Sequence, residues 1–216
     1  MKTYHCKHAP STPNLDGSLS HPAWQAAEVV DLMRNDGALP RFATTARLLW
    51  DDSYLYLGFA CVDEQIYASM IRRDDHLWEE EVVELFINPN GDEVTYLEFE
   101  VNPLNTLLDL LVLNRPPYPA HYLFAWDSRA TRHAVQVQGD PHDLHSLDQG
   151  WTVEIAFPWE NFITAPNLPP RPGDRWRFNL FRIDQYQGQE ELSAWSPTLG
   201  PSFHVPAAFG ALLFEG

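Results

Sequence analysis

The chain has 216 residues, 44% of them hydrophobic and 13% aromatic, which supplies enough apolar surface for a packed core and excludes a disordered polar chain. Its 30 Asp and Glu against 14 Lys and Arg leave a net charge of −16, a field that repels phosphate backbones and anionic lipid, so neither nucleic acid nor a membrane is an expected partner. No apolar run is long enough to span a bilayer, the start lacks a signal-like pattern, and two cysteines make no disulfide framework; the chain as given is therefore expected in the cytoplasm, and secreted if it is trimmed from a longer parent.

A length of this size fits one domain over residues 1–216, and the 18 prolines favour many short strands between ordered loops. The first element, His5-Cys6-Lys7-His8, has the donor types of a zinc or copper site but no fourth ligand, and is expected to be an edge strand. In the segment Leu15 to Glu28, Asp16-Gly17 makes a turn, Pro22 opens a short helix and Trp24 points inward. Residues 31–42 have no clean period and read as a loop or a short edge strand. Thr44–Trp50 and Tyr54–Val62 form a hairpin about Asp51-Asp52-Ser53, with Leu48, Trp50, Leu55, Leu57, Phe59 and Cys61 available for burial. Asp63-Glu64 at the strand end is either a calcium-ligating pair or a solvated turn.

The strongest pattern runs from Trp78 to Asn102. Val83, Leu85 and Ile87 alternate with Val82, Glu84, Phe86 and Asn88; after Pro89-Asn90-Gly91-Asp92 reverses the chain, Leu97, Phe99 and Val101 alternate with Tyr96, Glu98, Glu100 and Asn102. One face of this hairpin belongs in a core. The other carries carboxylates and an amide, with Trp78 at its approach, and suits a polar, hydroxylated ligand.

Further strands are expected over 104–113, 131–138, 151–157, 175–184 and 209–214, the fourth with large residues on both sides, so that both its faces are covered. Arg182 within it needs an acid partner or a ligand, because a buried unpaired cation is costly. His142-Asp143-Leu144-His145 has ligand chemistry but sits in a polar loop and is expected to be hydrated. The class that follows is all-β: an antiparallel β-sandwich, immunoglobulin-like or jelly-roll-like, with one or two short helices.

Seven pieces then stand in order: LDGSLSHPAW from Leu15, LLWDDSYLYLGFACVD from Leu48, WEEEVVELFI from Trp78, YLEFEVN from Tyr96, WTVEIAFPW from Trp151, RWRFNLFRID from Arg175 and FHVPAAFGALLF from Phe203. Together they resemble a family 9 carbohydrate-binding module over almost the whole chain. The resemblance implies a β-sandwich that binds a mono-, oligo- or polysaccharide without catalysis, the sugar ring held between Trp78 and Phe203. It implies Glu84 and Asn102 as polar contacts, with Glu98 and Arg182 available beside them. It also implies structural calcium on strand-end acids, here Asp63, Glu64 and Glu81. Two positions depart from the family pattern: Phe203 stands where known binders have Trp, and Glu100 where a basic residue can serve in binding. Two other classes remain beside this one. Glu84, Glu98 and Glu100 on one face could serve a glycoside hydrolase, and Met33, Met70 and His204 are candidate axial ligands of a haem domain.

Overall fold

The computed structural model describes all 216 residues. Fourteen strands are present: β1 (Thr3–His8), β2 (Val30–Asp31), β3 (Met33–Arg34), β4 (Thr44–Trp50), β5 (Tyr54–Val62), β6 (Val82–Asn88), β7 (Thr95–Val101), β8 (Leu107–Leu113), β9 (His121–Leu123), β10 (Arg132–Gln138), β11 (Gly150–Pro158), β12 (Arg175–Tyr186), β13 (Gln189–Ala194) and β14 (Gly210–Glu215). Helical structure is confined to four short 3₁₀ turns. The main path across the sheet is β10-β11-β5-β4-β1-β14-β12-β6-β7-β8-β9, with β13 on the free part of β12. This one continuous sheet curls so that its two halves pack face to face as a β-sandwich.

The apolar alternation accounts for the curl. Val83, Leu85, Ile87, Leu97, Phe99 and Val101 from one half enter the same buried cluster as Leu48, Trp50, Leu55, Leu57, Phe59, Cys61, Val153 and Phe157 from the other. Each set lies on one side of its strands, so burying both removes a whole apolar face from water. The opposite face of β6, β7, β8 and β12 is also covered: Val82, Phe86, Tyr96, Leu110, Phe181, Ile183, Phe203 and Phe209 form a second cluster there. A third, smaller cluster around Trp24 and Tyr56 covers the outside of the other half. Buried Glu154 of β11 holds that layer on, accepting hydrogen bonds from the Trp24 indole N–H at 2.6 Å and from the backbone N–H groups of Asp16 and Gly17 at 2.9 and 2.7 Å.

Two expectations change. The first segment is not an edge strand: β1 lies between β14 and β4, parallel to both, and joins the halves of the sandwich, so the sheet is antiparallel except at these two pairings. Cys6 is buried in the core while His5 pairs with Glu215 and His8 packs on Trp50, so these side chains do not converge on a metal. Second, β9 and β13 have no counterpart in the expected strands. Both are short and flank the second cluster's face, where they border the site.

The β6–β7 turn is held by its own side chains. Gly91 takes a left-handed backbone (φ 68°), Asn88 Oδ1 accepts from the Gly91 N–H at 2.6 Å, and Asp92 Oδ1 accepts from the N–H groups of Val94 and Thr95 at 2.8 and 2.7 Å. This sets the register in which Glu84 faces Glu100 and Phe86 faces Glu98.

Candidate functional site

The second face of the β6–β7 hairpin floors a cleft of about 420 Å³. Ligand pockets commonly measure about 300–1,000 Å³. Glu84 comes from β6, Glu98 and Glu100 from β7; period-two alternation puts all three beside Phe86, opposite the core residues Leu85 and Phe99. Tyr122 of β9 and Phe124 just after it, each 41% exposed, line one side. Phe203 and His204 from the loop before β14 line another.

Trp78 sits in the 3₁₀ turn Leu77–Glu79, half-buried, with its ring stacked on His76 at 4.4 Å and near Phe124 at 6.0 Å. It is thus an aromatic wall fixed by its neighbours and open to the cleft. Phe203 is different. Only 6% exposed, it stacks on Phe181 at 4.1 Å and belongs mostly to the second cluster. Both expected aromatics border one cleft, but one is a platform and the other chiefly a packed wall.

The floor is electrostatically unusual. Glu84, Glu98 and Glu100 are 2%, 4% and 1% exposed, and one carboxylate oxygen from each lies within 4.8 Å of the other two. Oε2 of Glu98 and both carboxylate oxygens of Glu100 are shielded from solvent without a well-formed hydrogen bond from a donor outside the cluster, so Glu98 and Glu100 are left to share a proton between them. Burial pushes all three carboxyls up, Glu98 to about 7; the carboxylate of Glu98 raises Glu84 further, and those of Glu84 and Glu98 raise Glu100. No Lys or Arg lines the cleft. His204 is the nearest basic group, its Nδ1 3.8 Å from Glu98 Oε2. Burial holds its imidazole down at about 4, and Nδ1 is engaged by the Tyr96 hydroxyl at 2.8 Å. Its ring stacks on Phe86 instead of neutralising the acids.

The remaining expected residues lie elsewhere. Asn102 is fully buried and does not line the cleft. Its amide donates to the Met70 carbonyl at 2.8 Å and accepts from the N–H groups of Leu104 and Thr106, so its bonding capacity holds the β7–β8 turn. Arg182 is on the core side of β12, paired across the sheet with Val83, while its neighbours Phe181 and Ile183 face the cleft side. Its guanidinium donates to Asp63 at 2.5 Å, to Asp184 at 2.7 Å, to Thr44 at 3.0 Å and to the Val62 carbonyl at 2.9 Å, and lies 3.6 Å from Glu81. The parity it shares with Trp176, Phe178 and Leu180 was the available signal.

That arrangement bears on calcium. Asp63 and Glu81 do converge, joined by Asp184, but Arg182 stands among them as the counter-cation, and Glu64 is exposed and outside the group. A guanidinium in the middle of the carboxylates does not fit a calcium site built on these residues. Met33, a haem-ligand candidate, lines a separate surface hollow with Lys2 and Trp195, away from His204. Reading the sequence alone missed Tyr122, Phe124 and His204 as cleft residues. Tyr122 and Phe124 lie in a stretch without periodicity, where only their aromatic character was visible.

Comparison with known proteins agrees with the architecture. The carbohydrate-binding family 9 profile matches residues 21–214. Among curated relatives, an "Extracellular protein" of Arthroderma benhamiae is 29% identical over 181 residues, covering 79% of this chain and 78% of that protein. Endo-1,4-beta-xylanase A of Thermotoga maritima is 25% identical over 210 residues, covering 93% of this chain but 17% of the xylanase, so the chain corresponds to only a part of that protein. Among solved structures, a candidate carbohydrate-binding protein of Bacteroides uniformis superposes with a TM-score of 0.79 at 20% identity, covering 99% of both chains. A family 9 module of Caldicellulosiruptor kristjanssonii, solved with cellotriose, has a TM-score of 0.70 at 17% identity, covering 100% of this chain and 94% of that one. With the family profile matched over nine-tenths of its length and the fold shared, the chain belongs to carbohydrate-binding family 9.

Proposed function

We propose that this chain binds a carbohydrate without transforming it, taking one pyranose ring into the cleft with a ring face on Trp78 and its hydroxyls directed to Glu84, Glu98 and Glu100. The observation that carries the reading is the half-exposed, pre-stacked Trp78 beside buried acids in a cleft of sugar size. Sugar C–H groups pack on aromatic faces, and hydroxyls satisfy buried acceptors that otherwise have no donor. Structures of family 9 modules of Caldicellulosiruptor kristjanssonii with cellotriose and with glucose support the ligand class.

Hydrolysis fits the geometry less well. A glycosidase places two carboxyls on opposite sides of the scissile bond. Here Glu84 and Glu100 are cross-strand neighbours and all three acids share one floor. Calorimetric titration with glucose and cellotriose tests the proposal. Saturable binding with no cleavage of cellotriose on prolonged incubation supports it, and absence of binding or release of glucose overturns it.

A further inference from the structure

The carboxylate floor says more about the ligand than that it is hydroxylated. A neutral sugar offers hydroxyl donors, but it brings no cation to three buried acids whose carboxylates disfavour one another, so they cannot all ionise around it. Every ionisable group facing the cluster is acidic or neutral: Glu84 on β6, Glu98 and Glu100 on β7, Glu190 on β13, Tyr122 on β9, and the His204 imidazole whose Nδ1 is occupied by Tyr96. By contrast, the buried acids Asp63 and Asp184 on the core side have their own cation in Arg182. The cleft acids have none from this chain.

The spacing of the cluster admits a small cation, an ammonium among them. Acceptors bonded at about 2.8 Å to a single tetrahedral ammonium stand about 4.6 Å from one another. One oxygen from each of the three carboxylates lies within 4.8 Å of the other two, and Glu98 Oε2 with both oxygens of Glu100 is buried without a donor from outside the cluster. The aromatic surfaces of Trp78, Phe86, Tyr122 and Phe124 line the same space and attract positive charge to their faces. They also give the cleft room beyond that needed by a bare ion.

We propose that the cleft selects pyranoses that carry a primary ammonium group, an amino sugar or its oligomers, seating the nitrogen among Glu84, Glu98 and Glu100 and the ring on Trp78. The proposal rests on the sugar-binding reading above. Charge balance is kept by proton release: acids that hold protons in the free protein give them up to solvent as the ammonium enters. The chain's overall charge of −16 favours the approach of such ligands.

The test is calorimetric titration of the intact chain with D-glucosamine hydrochloride, D-glucose and N-acetyl-D-glucosamine at pH 7, in chelator-treated buffers of two ionisation enthalpies. Glucosamine is expected to bind at least tenfold more tightly than the two neutral sugars, with proton release that they do not show. In Glu100→Gln the ratio of glucosamine to glucose affinity is expected to narrow. Should the variant not fold, the wild-type ratio and proton release decide. Glucose binding as tightly as glucosamine overturns the amino-sugar proposal and leaves sugar binding standing. Failure of all three sugars and of cellotriose overturns both. Calcium chloride binding that glucosamine cannot displace assigns the cluster to a metal and also overturns the proposal.

Discussion

Single side chains of similar character do different work in this molecule, and their surroundings say which. Trp78 is held from one side by His76 and remains half-exposed, whereas Phe203 is stacked on Phe181 inside the second cluster. Trp78→Ala is therefore expected to weaken sugar binding at least tenfold with little change in melting temperature. Phe203→Ala is expected to lower stability by about 3 kcal/mol, the usual cost of emptying a packed aromatic site. Chemical denaturation alongside titration separates the two, and a large stability loss in Trp78→Ala would make that ring structural. Arg182 gives the complementary case. Replacing it with Met leaves Asp63 and Glu81 without a cation in the sandwich interior and Asp184 with only Arg41 at 3.6 Å, and the expected loss is about 3–5 kcal/mol. A stability change below about 1 kcal/mol in urea unfolding would show that the acids simply take up protons.

The β6–β7 hairpin is the element that makes the site, because its register decides whether three acids meet. Asp92 accepts two backbone N–H groups at the entry to β7, and Asn88 and Gly91 complete the reversal. Removing the Asp92 carboxylate leaves these donors to water at an exposed turn, so Asp92→Ala is expected to cost about 1 kcal/mol. Sugar affinity is expected to fall little, since β8 and β12 still hold the strands on both sides. Amide exchange in β6 and β7 checks this. Faster exchange confined to the turn agrees with it, and loss of protection through Glu84 and Glu100 would show that the turn alone holds the register. The alternation of this hairpin was readable from residues 82–102, including which side each glutamate takes. β13 was not, because Gln189–Ala194 has polar and small residues at most positions and is a strand only by pairing with the end of β12 and with β3.

At the scale of the whole molecule, buried acids set how stability responds to pH. Glu84, Glu100 and Glu81 are raised well above the ordinary range by burial, Glu98 to about 7 and Asp184 to about 6. Between the unfolded values, about 4, and these raised values, the folded chain holds more protons than the unfolded chain, so their contribution is lost as pH rises. His204, lowered by burial to about 4, and His133, also lowered, act in the opposite sense below about pH 6.5, where the unfolded chain protonates them. Above about 6.5 the raised acids dominate, joined in the alkaline range by Cys6 and Cys61, whose buried thiols act with the same sign. The melting temperature is therefore expected to fall from pH 6.5 to 8, with each carboxyl contributing at most about 1.4 kcal/mol per pH unit. Calorimetric scans check it, Glu100→Gln should flatten the slope, and a rising melting temperature would contradict it. Sequence alone determined the strand class, the two hairpins, the core face and the gathering of Glu84, Glu98 and Glu100 on the other face, because period-two alternation is a local property of the backbone. It determined the family as well, through the order of its motifs. Only the tertiary structure decided that Arg182 neutralises Asp63 and Asp184, that Asn102 is spent on a turn, that β1 joins the two halves, and that Tyr122, Phe124 and His204 complete the cleft. Alternation assigns a side chain to a face, but what lies across from that face is set by distant strands and loops that meet only when the sheet curls.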